Sequence, residues 1–133
     1  MFEIGKYYNR QKDLHDVFGG NRQSGISPCA SHPTIFLFTS PKGEEYGYSD
    51  FWVSETEFRF TGEGQYGDME LIRGNKAIAN HKRNGRNLLL FSKVKSGEYE
   101  FIGEFIYLSH RFASGVDFDN EKRQVIEFTL KKI

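Results

Sequence analysis

The fold prediction depends on one stretch of the sequence, Glu57-Phe58-Arg59-Phe60-Thr61-Gly62-Glu63-Gly64-Gln65. Its first half, Glu57–Thr61, has the aromatic content typical of a β-strand. The two glycines that follow mark a turn where the backbone can come close to another group. Tyr46–Val53 is a second strand-like segment, separated from the first by the polar residues Ser54-Glu55-Thr56. Together they predict a strand pair that ends in a glycine-rich loop.

The segments on either side of this pair are mostly strand-like as well. We predict a buried strand at Thr34–Thr39, two strands joined by a hairpin at Asn87–Val94 and Tyr99–Tyr107, and an alternating last strand at Gln124–Leu130. Two short helices are predicted at Gln11–Phe18 and Asn75–Arg83, the second capped by Asn75 and stopped by Gly85. Residues 21–32 are predicted to form a loop. The pattern predicts an α+β, β-dominated fold, either a curved sheet or a small barrel.

Length and composition favour a single folded domain over residues 1–133. The chain has 133 residues, 16% of them aromatic, and no repeat or linker interrupts it. The single cysteine, Cys29, excludes an intrachain disulfide and suits a reducing compartment. The N-terminus carries no signal-peptide pattern, and the longest apolar runs are far too short to cross a bilayer. We therefore expect a cytoplasmic protein with no membrane partner.

The charges are segregated although they sum to zero. Residues 71–97 contain seven basic side chains and no acidic one, whereas residues 44–70 contain eight acidic side chains and one basic one, Arg59. Such a basic segment can neutralise phosphates locally in a neutral chain. A solvated basic face without a partner explains the charges equally well.

No pattern in the sequence argues for catalysis, a metal or a cofactor. Gly62-Glu63-Gly64-Gln65-Tyr66-Gly67 matches G-x-G-x-x-G, but the helix that a dinucleotide site needs does not follow, and two acids would repel phosphate. The four histidines lack zinc-ligand spacing. The acids at 117–121 fit a polar turn. We expect no metal, no cofactor and no catalytic residue.

Residues 46–75 combine aromatics, a carboxylate, a threonine and glycines, which is the composition of a pocket for an unstacked base. Aromatic faces can sandwich a base, and a carboxylate can accept the cytosine N4 amine. Glycines let backbone groups approach the base edge. Taken one by one, however, the same aromatics are ordinary strand residues and the same glycines mark bulges.

The order of three short motifs resembles the SRA (SET- and RING-associated, or YDG) domain. The motifs are Gly47-Tyr48-Ser49-Asp50, Phe60-Thr61-Gly62-Glu63-Gly64 and Gly74-Asn75-Lys76-Ala77. His15-Asp16-Val17-Phe18-Gly19-Gly20 is similar to the family's entry helix and glycine loop. The likeness is greatest to SRA-like domains of bacterial modification-dependent restriction endonucleases that carry a separate HNH nuclease domain. It implies a PUA-like barrel and a prokaryotic, DNA-associated protein.

The resemblance implies a reader that flips 5-methylcytosine or 5-hydroxymethylcytosine out of duplex DNA into an aromatic cage. Tyr48 and Phe60 would be the stacking walls, with Trp52 as an alternative to Tyr48. Asp50 would hold the exocyclic amine, although the family's aspartate can lie one residue later, at Phe51. Thr61 and Gly62 would line the base edge. The remaining expected contacts are to DNA backbone and grooves: Arg22, Gln23, Ser24, Lys76, Lys82, Arg83 and Arg86.

Three functions follow, in order of preference. The first is recognition of modified cytosine in double-stranded DNA, by a standalone reader or by the recognition domain of a modification-dependent restriction system whose nuclease lies in another domain or partner. The second is RNA binding by a PUA-like module. The third is hydrolysis of a modified nucleoside with Asp50 or Glu63 as general base.

Overall fold

The computed structural model describes residues 2–40 and 50–133. A π-helical turn, Arg10–His15, leads directly into the short helix α1, Asp16–Phe18, and α2 spans Arg73–Ala79. The strands are β1 Tyr7–Asn9, β2 Ile26–Pro28, β3 Thr34–Thr39, β4 Phe51–Trp52, β5 Glu57–Thr61, β6 Asn87–Lys95, β7 Glu98–Val116 and β8 Lys122–Lys132.

Strands β3 and β6 form the centre of the fold because both of their faces are buried. Ile35 and Leu37 of β3 lie in one hydrophobic cluster, while Phe36 and Phe38 lie in a second cluster on the opposite face. The two strands pair in parallel, with Thr34 opposite Asn87 and Thr39 opposite Ser92. Burial on both faces explains why each strand is a continuous apolar run without polar alternation.

The strands described here form one sheet in the order β2-β3-β6-β7-β8-β5-β4, with β1 paired to the start of β7. Apart from β3 and β6, neighbouring strands are antiparallel. Register shifts within the β6–β7 and β7–β8 ladders accompany the bending of the sheet. The prediction of a β-dominated α+β fold is confirmed, and the sheet is curved but unclosed.

The structure departs from the predicted elements at several places; helix α2, for example, ends at Ala79 and not at Arg83. β7 extends to Val116, nine residues beyond its predicted end, because its second half pairs with β8 as a two-stranded ribbon. The predicted loop at 21–32 contains the short strand β2. Helix α2 begins at Arg73, and its N-cap residue is Ile72, so the prediction that Asn75 caps this helix is wrong.

The sheet brings the ends of several strands together at one place. β3 and β5 end at Thr39 and Thr61, and Asp50 bonds to both residues. The loop after β5 then runs to the start of α2. Within residues 2–40 and 50–133, no helix is long and apolar enough to cross a membrane.

Candidate functional site

A cavity of about 1040 Å³ opens where these strand ends meet. Its walls come from the loop before β2, the ends of β3 and β5, the loop 62–70 and the start of α2. Among the described residues, four acidic and three basic side chains line it. The acids are Asp50, Glu63, Asp68 and Glu70; the bases are Arg10, Arg73 and Lys93.

Asp50 is the carboxylate that the strand ends fix in place. Its Oδ1 accepts a hydrogen bond from the Thr61 backbone N–H at 2.7 Å, and its Oδ2 accepts one from the Thr39 hydroxyl at 2.7 Å. Burial raises the pKa of Asp50, while these hydrogen bonds favour the ionised form and oppose that rise. The two bonds hold a partly buried acceptor in one orientation on the cavity wall.

Asn75 fastens the glycine-rich loop to helix α2. This residue is 1% exposed, and its side-chain oxygen accepts from the Glu63 N–H at 2.8 Å. Its amide group donates to the Glu63 and Glu70 carbonyls, each at 3.0 Å. A Cβ at Gly62 would lie 2.7 Å from the Asn75 oxygen, so glycine is required there by the close approach. Asn75 therefore shapes the cavity wall without capping the helix.

Glu63 lines the cavity next to Asn75 and is bonded to the start of helix α2. Its Oε1 accepts from the Gly74 backbone N–H at 2.9 Å. Burial raises its pKa, and the Gly74 bond and the charge of Arg73 oppose that change. A Cβ on Gly74 would collide with the Glu63 carboxylate, which explains why a glycine precedes Asn75.

Arg123 holds the outer part of the loop, residues 64–67. The side chain is 6% exposed, and its Nη1 donates to the carbonyls of Gly64 and Gly67, at 2.6 and 3.2 Å. Asp117 accepts from the Gly67 N–H at 3.0 Å, and the backbone of Phe118 donates to Gln65. These contacts tie the loop to the β7–β8 turn.

Arg10 supports the opposite wall. Its Nη2 donates to the carbonyls of Asn21 and Ser24, at 3.0 and 2.7 Å, and its guanidinium lies 3.6 Å from the centre of the Phe38 ring. Its Nε donates to His15 Nε2 at 2.9 Å. Since a guanidinium only donates, His15 is neutral, with its proton on Nδ1 bonded to the Gly19 carbonyl.

The predicted base-pocket residues are only partly brought together. Asp50, Phe60, Thr61 and Gly62 all line the cavity, and the Phe60 side chain is 2% exposed and packed in the core. Trp52 does not line it; its ring packs against Phe58 and Phe105. Tyr48 lies outside the described residues.

The predicted DNA-contacting residues fall into three places. Gln23 and Ser24 line the cavity, and Arg22 is exposed beside them. Lys76 is exposed on α2. The other three, Lys82, Arg83 and Arg86, lie in the turn before Asn87, whereas the cavity residue Lys93 lies six residues along β6. At about 3.3 Å per residue, this distance is about 20 Å, so the structure does not bring these three side chains to the cavity.

Sequence reasoning missed several residues of the site. Arg10, Arg73, Lys93 and Arg123 carry charge at the cavity or its supports, but nothing in their spacing linked them. Tyr66 and Phe118 are exposed aromatics at the rim, with ring centres 6.1 Å apart. They come from distant parts of the chain and meet only through the loop contacts to the β7–β8 turn.

The described residues offer neither a reactive thiol nor a group of metal ligands. Burial raises the pKa of the Cys29 thiol to about 11, so it stays protonated at neutral pH. In the part of the chain that the structure describes, no three His, Cys, Asp or Glu side chains are grouped so that they could hold a metal ion.

A family model described as the ScoMcrA-like SRA domain matches residues 4–133. The chain belongs to this family. The resemblance drawn from the sequence motifs is therefore confirmed. No curated protein sequence is a significant match to this SRA domain.

Solved structures share the fold. The sulfur binding domain and SRA domain of ScoMcrA, complexed with phosphorothioated DNA, align with 24% identity and a TM-score of 0.78 over 100% of this chain and 40% of that one. The phosphorothioation-dependent restriction endonuclease ScoMcrA aligns with a TM-score of 0.79 and 24% identity, over 100% of this chain and 28% of that one. The SUVH5 SRA domain with fully methylated CG DNA aligns at 19% identity and a TM-score of 0.70, covering 98% and 88%. This SRA domain thus spans less than half of both ScoMcrA chains.

The Asn75 network makes a stability prediction. Asn75→Ala leaves the buried Glu63 N–H without its partner and removes both donors to the loop carbonyls. We expect the free energy of unfolding in urea to fall by about 2 kcal/mol or more. Asn84→Ala, in an exposed turn, should change it by less than about 0.5 kcal/mol. Equal effects of the two variants would contradict the assigned role of Asn75.

His15 makes a prediction about pH. Burial lowers its pKa, with the charges of Arg10 and Arg22 acting in the same direction and Asp16 and the Gly19 carbonyl opposing it. The unfolded chain therefore takes up the proton first, near its ordinary pKa of about 6.5. Stability should be complete above that pH and decrease as the pH falls towards the lowered folded-state pKa.

The test is urea unfolding of the wild type and His15→Gln between pH 7.5 and 5.5. The wild type should lose stability more steeply than the variant, which has no titrating group at this position. Parallel pH profiles would show that the proton on His15 does not affect folding.

Proposed function

We propose that this SRA domain recognises a modified cytosine in duplex DNA by receiving the flipped base in the cavity beside Asp50. The SRA domains that it resembles in fold are solved in complex with phosphorothioated or methylated DNA. The observation that carries the proposal is the fixed Asp50 carboxylate on the wall of a cavity large enough for a base.

The chemistry of Asp50 fits an exocyclic amine. Its oxygens accept hydrogen bonds from Thr61 and Thr39, and an ionised carboxylate has about four lone-pair sites. It can accept a bond from the cytosine N4 amine while keeping the bonds to the two threonines. A thymine would present a carbonyl oxygen at the same position, and two facing acceptors repel each other. The carboxylate therefore selects cytosine over thymine.

The proposal requires aromatic side chains for stacking. We retain Tyr48 and Phe60 as the proposed walls; Phe60 lines the cavity with a side chain that is 2% exposed. Tyr66 and Phe118 stand at its rim, 61% and 45% exposed, and can contact the base or its neighbours as it leaves the duplex. Stacking of one base on an aromatic ring contributes about 1–3 kcal/mol, enough to offset part of the cost of unstacking.

The modification that we propose is on the base. Phosphorothioation alters the DNA backbone, whereas this cavity has the volume for a base and a carboxylate acceptor for its edge. The ScoMcrA complex with phosphorothioated DNA also contains a separate sulfur binding domain. We therefore propose 5-methylcytosine or 5-hydroxymethylcytosine as the ligand of this domain.

The contacts in this proposal are hydrogen bonds, stacking and phosphate pairing, so recognition requires neither a metal nor a catalytic step. Cleavage, where this domain acts in modification-dependent restriction, would come from another domain or a partner. Binding of structured RNA in preference to modified duplex, or turnover of a free nucleoside, would favour the two rival functions.

The proposal predicts a loss of discrimination in Asp50→Asn. The asparagine can keep a bond to Thr61 and one to Thr39, but it replaces an acceptor oxygen by a donor that opposes the N4 amine. Only a flipped base reaches Asp50, and the modified cytosine is the base that we propose is flipped. We therefore expect fluorescence anisotropy to show at least a tenfold loss, about 1.4 kcal/mol, in the preference for a modified over an unmodified duplex.

Glu104→Gln is the matched control, because it makes the same change on β7 outside the cavity. It should leave the preference unchanged. A preference that survives in Asp50→Asn would contradict the assignment of Asp50, and a wild type without any preference would contradict the proposed function.

A second prediction concerns the basic side chains that we expect to contact DNA. Lys93→Ala, at the cavity rim, should weaken binding to modified and unmodified duplexes alike and lower the slope of log K against log salt by about 1. The sequence prediction places Arg83 on the DNA as well, although Arg83 does not line the cavity.

Arg83→Ala measured in the same salt series separates two DNA footprints. A reduced slope in both variants means that the duplex covers the surface from Lys93 to the turn at Arg83. A reduced slope in Lys93→Ala alone confines the DNA to the cavity rim. An unchanged slope in Lys93→Ala would contradict the placement of DNA over this cavity.

A further inference from the structure

Glu63 is a second carboxylate on the cavity wall, and recognition through Asp50 leaves it unused. It differs from the lining residues Asp68 and Glu70 in its exposure to water and in the hydrogen bonds that its carboxylate accepts. Asp68 accepts from the Gln124 N–H at 2.6 Å, and Glu70 is exposed to water. Glu63 is partly buried, and among the described residues its carboxylate accepts one bond, to Oε1 from Gly74.

Among the described residues, the second oxygen of Glu63 is therefore an acceptor without a protein donor on the cavity wall. A ligand that covers this oxygen must supply a donor, because a carboxylate oxygen that loses its water without gaining a donor costs free energy. The position is rigid, because Asn75 bonds both the N–H and the carbonyl of Glu63 and Gly74 holds Oε1. Because its position is fixed, this oxygen can favour one ligand over another and does not adjust to each.

Glu63 follows Asp50 along the cavity wall. Asp50 is bonded to the backbone of Thr61, Glu63 comes two residues later along the chain, and both line the cavity. The N4 amine and the 5-substituent stand on adjacent ring atoms of cytosine, so a base whose amine meets Asp50 presents its 5-substituent beside it. The next lining carboxylate along the chain is Glu63.

We propose that Glu63 reads the 5-substituent of the flipped cytosine and prefers one that donates a hydrogen bond, which is a hydroxymethyl group. This inference rests on the proposed function. A 5-hydroxymethyl group supplies an O–H to the free oxygen of Glu63. A 5-methyl group supplies none and leaves the oxygen unpaired, while a 5-carboxyl group brings a negative charge that the carboxylate repels.

The experiment compares duplexes that contain cytosine, 5-methylcytosine, 5-hydroxymethylcytosine or 5-carboxylcytosine at one position, titrated at pH 8. The wild type should bind the hydroxymethyl duplex more tightly than the methyl duplex, and the carboxyl duplex more weakly than both. In Glu63→Gln the amide oxygen can still accept from Gly74, and the amide nitrogen that replaces the second oxygen can only donate to the hydroxymethyl oxygen, a neutral bond in place of a charge-assisted one. The hydroxymethyl-to-methyl affinity ratio should fall by about tenfold and the penalty on the carboxyl duplex should shrink.

Glu70→Gln is the matched control, since it removes an exposed carboxylate from the same cavity and should leave the ratio unchanged. A Glu63→Gln variant that weakens all duplexes equally would assign Glu63 a structural role and overturn the inference. The inference would also be overturned by a wild type that prefers the methyl duplex, or that binds the methyl and hydroxymethyl duplexes equally. That result needs no variant. A wild type that binds all four duplexes equally would overturn the proposed function itself.

Discussion

A carboxylate that leaves water must find hydrogen-bond donors, and Asp50 finds them at the ends of two different strands. Thr39 is the last residue of β3, and Thr61 is the last residue of β5. The parallel pairing of β3 with β6 and the antiparallel pairing of β5 with β8 fix where those ends lie. The cavity exists because the sheet brings these two ends to one carboxylate and leaves space beside it.

The rest of the cavity wall is irregular backbone, and buried backbone groups also need partners. Three side chains supply them: Asn75 bonds the loop at Glu63 and Glu70, Arg123 bonds it at Gly64 and Gly67, and Arg10 bonds the opposite loop at Asn21 and Ser24. Each of these side chains is more than nine-tenths buried. The site is therefore held rigid by side-chain-to-backbone hydrogen bonds where the sheet ladder has ended.

The strands whose bounds were predicted correctly are those whose own residues show a clear pattern of burial. Thr34–Thr39 and Glu57–Thr61 have the predicted bounds, because a run buried on both faces and a strand of aromatic residues between polar turns are local patterns. The second half of β7 was missed because Ser109-His110-Arg111 has no apolar alternation; its strand conformation comes from pairing with β8.

In the candidate site, too, local sequence patterns were informative and contacts between distant segments were not predicted. Asp50, Thr61 and Gly62, which the motifs grouped as base-pocket residues, line one cavity, and each lies next to a strand end in the sequence. The motifs could not show that Asn75 turns inward to hold the loop, that Trp52 packs on Phe58, or that Lys82, Arg83 and Arg86 lie at the far end of β6 from Lys93. Those facts depend on tertiary contacts between segments that are distant in the chain.

The central claim is that the cavity receives a base extruded from the duplex. The most direct measurement places 2-aminopurine next to a single 5-hydroxymethylcytosine and follows its fluorescence as this domain is added. Extrusion of the neighbouring base unstacks the probe, so the account predicts a rise in fluorescence that saturates with binding and is absent for the unmodified duplex. Tight, modification-dependent binding without any change in the probe would show that the modification is read inside the intact duplex and would contradict the account.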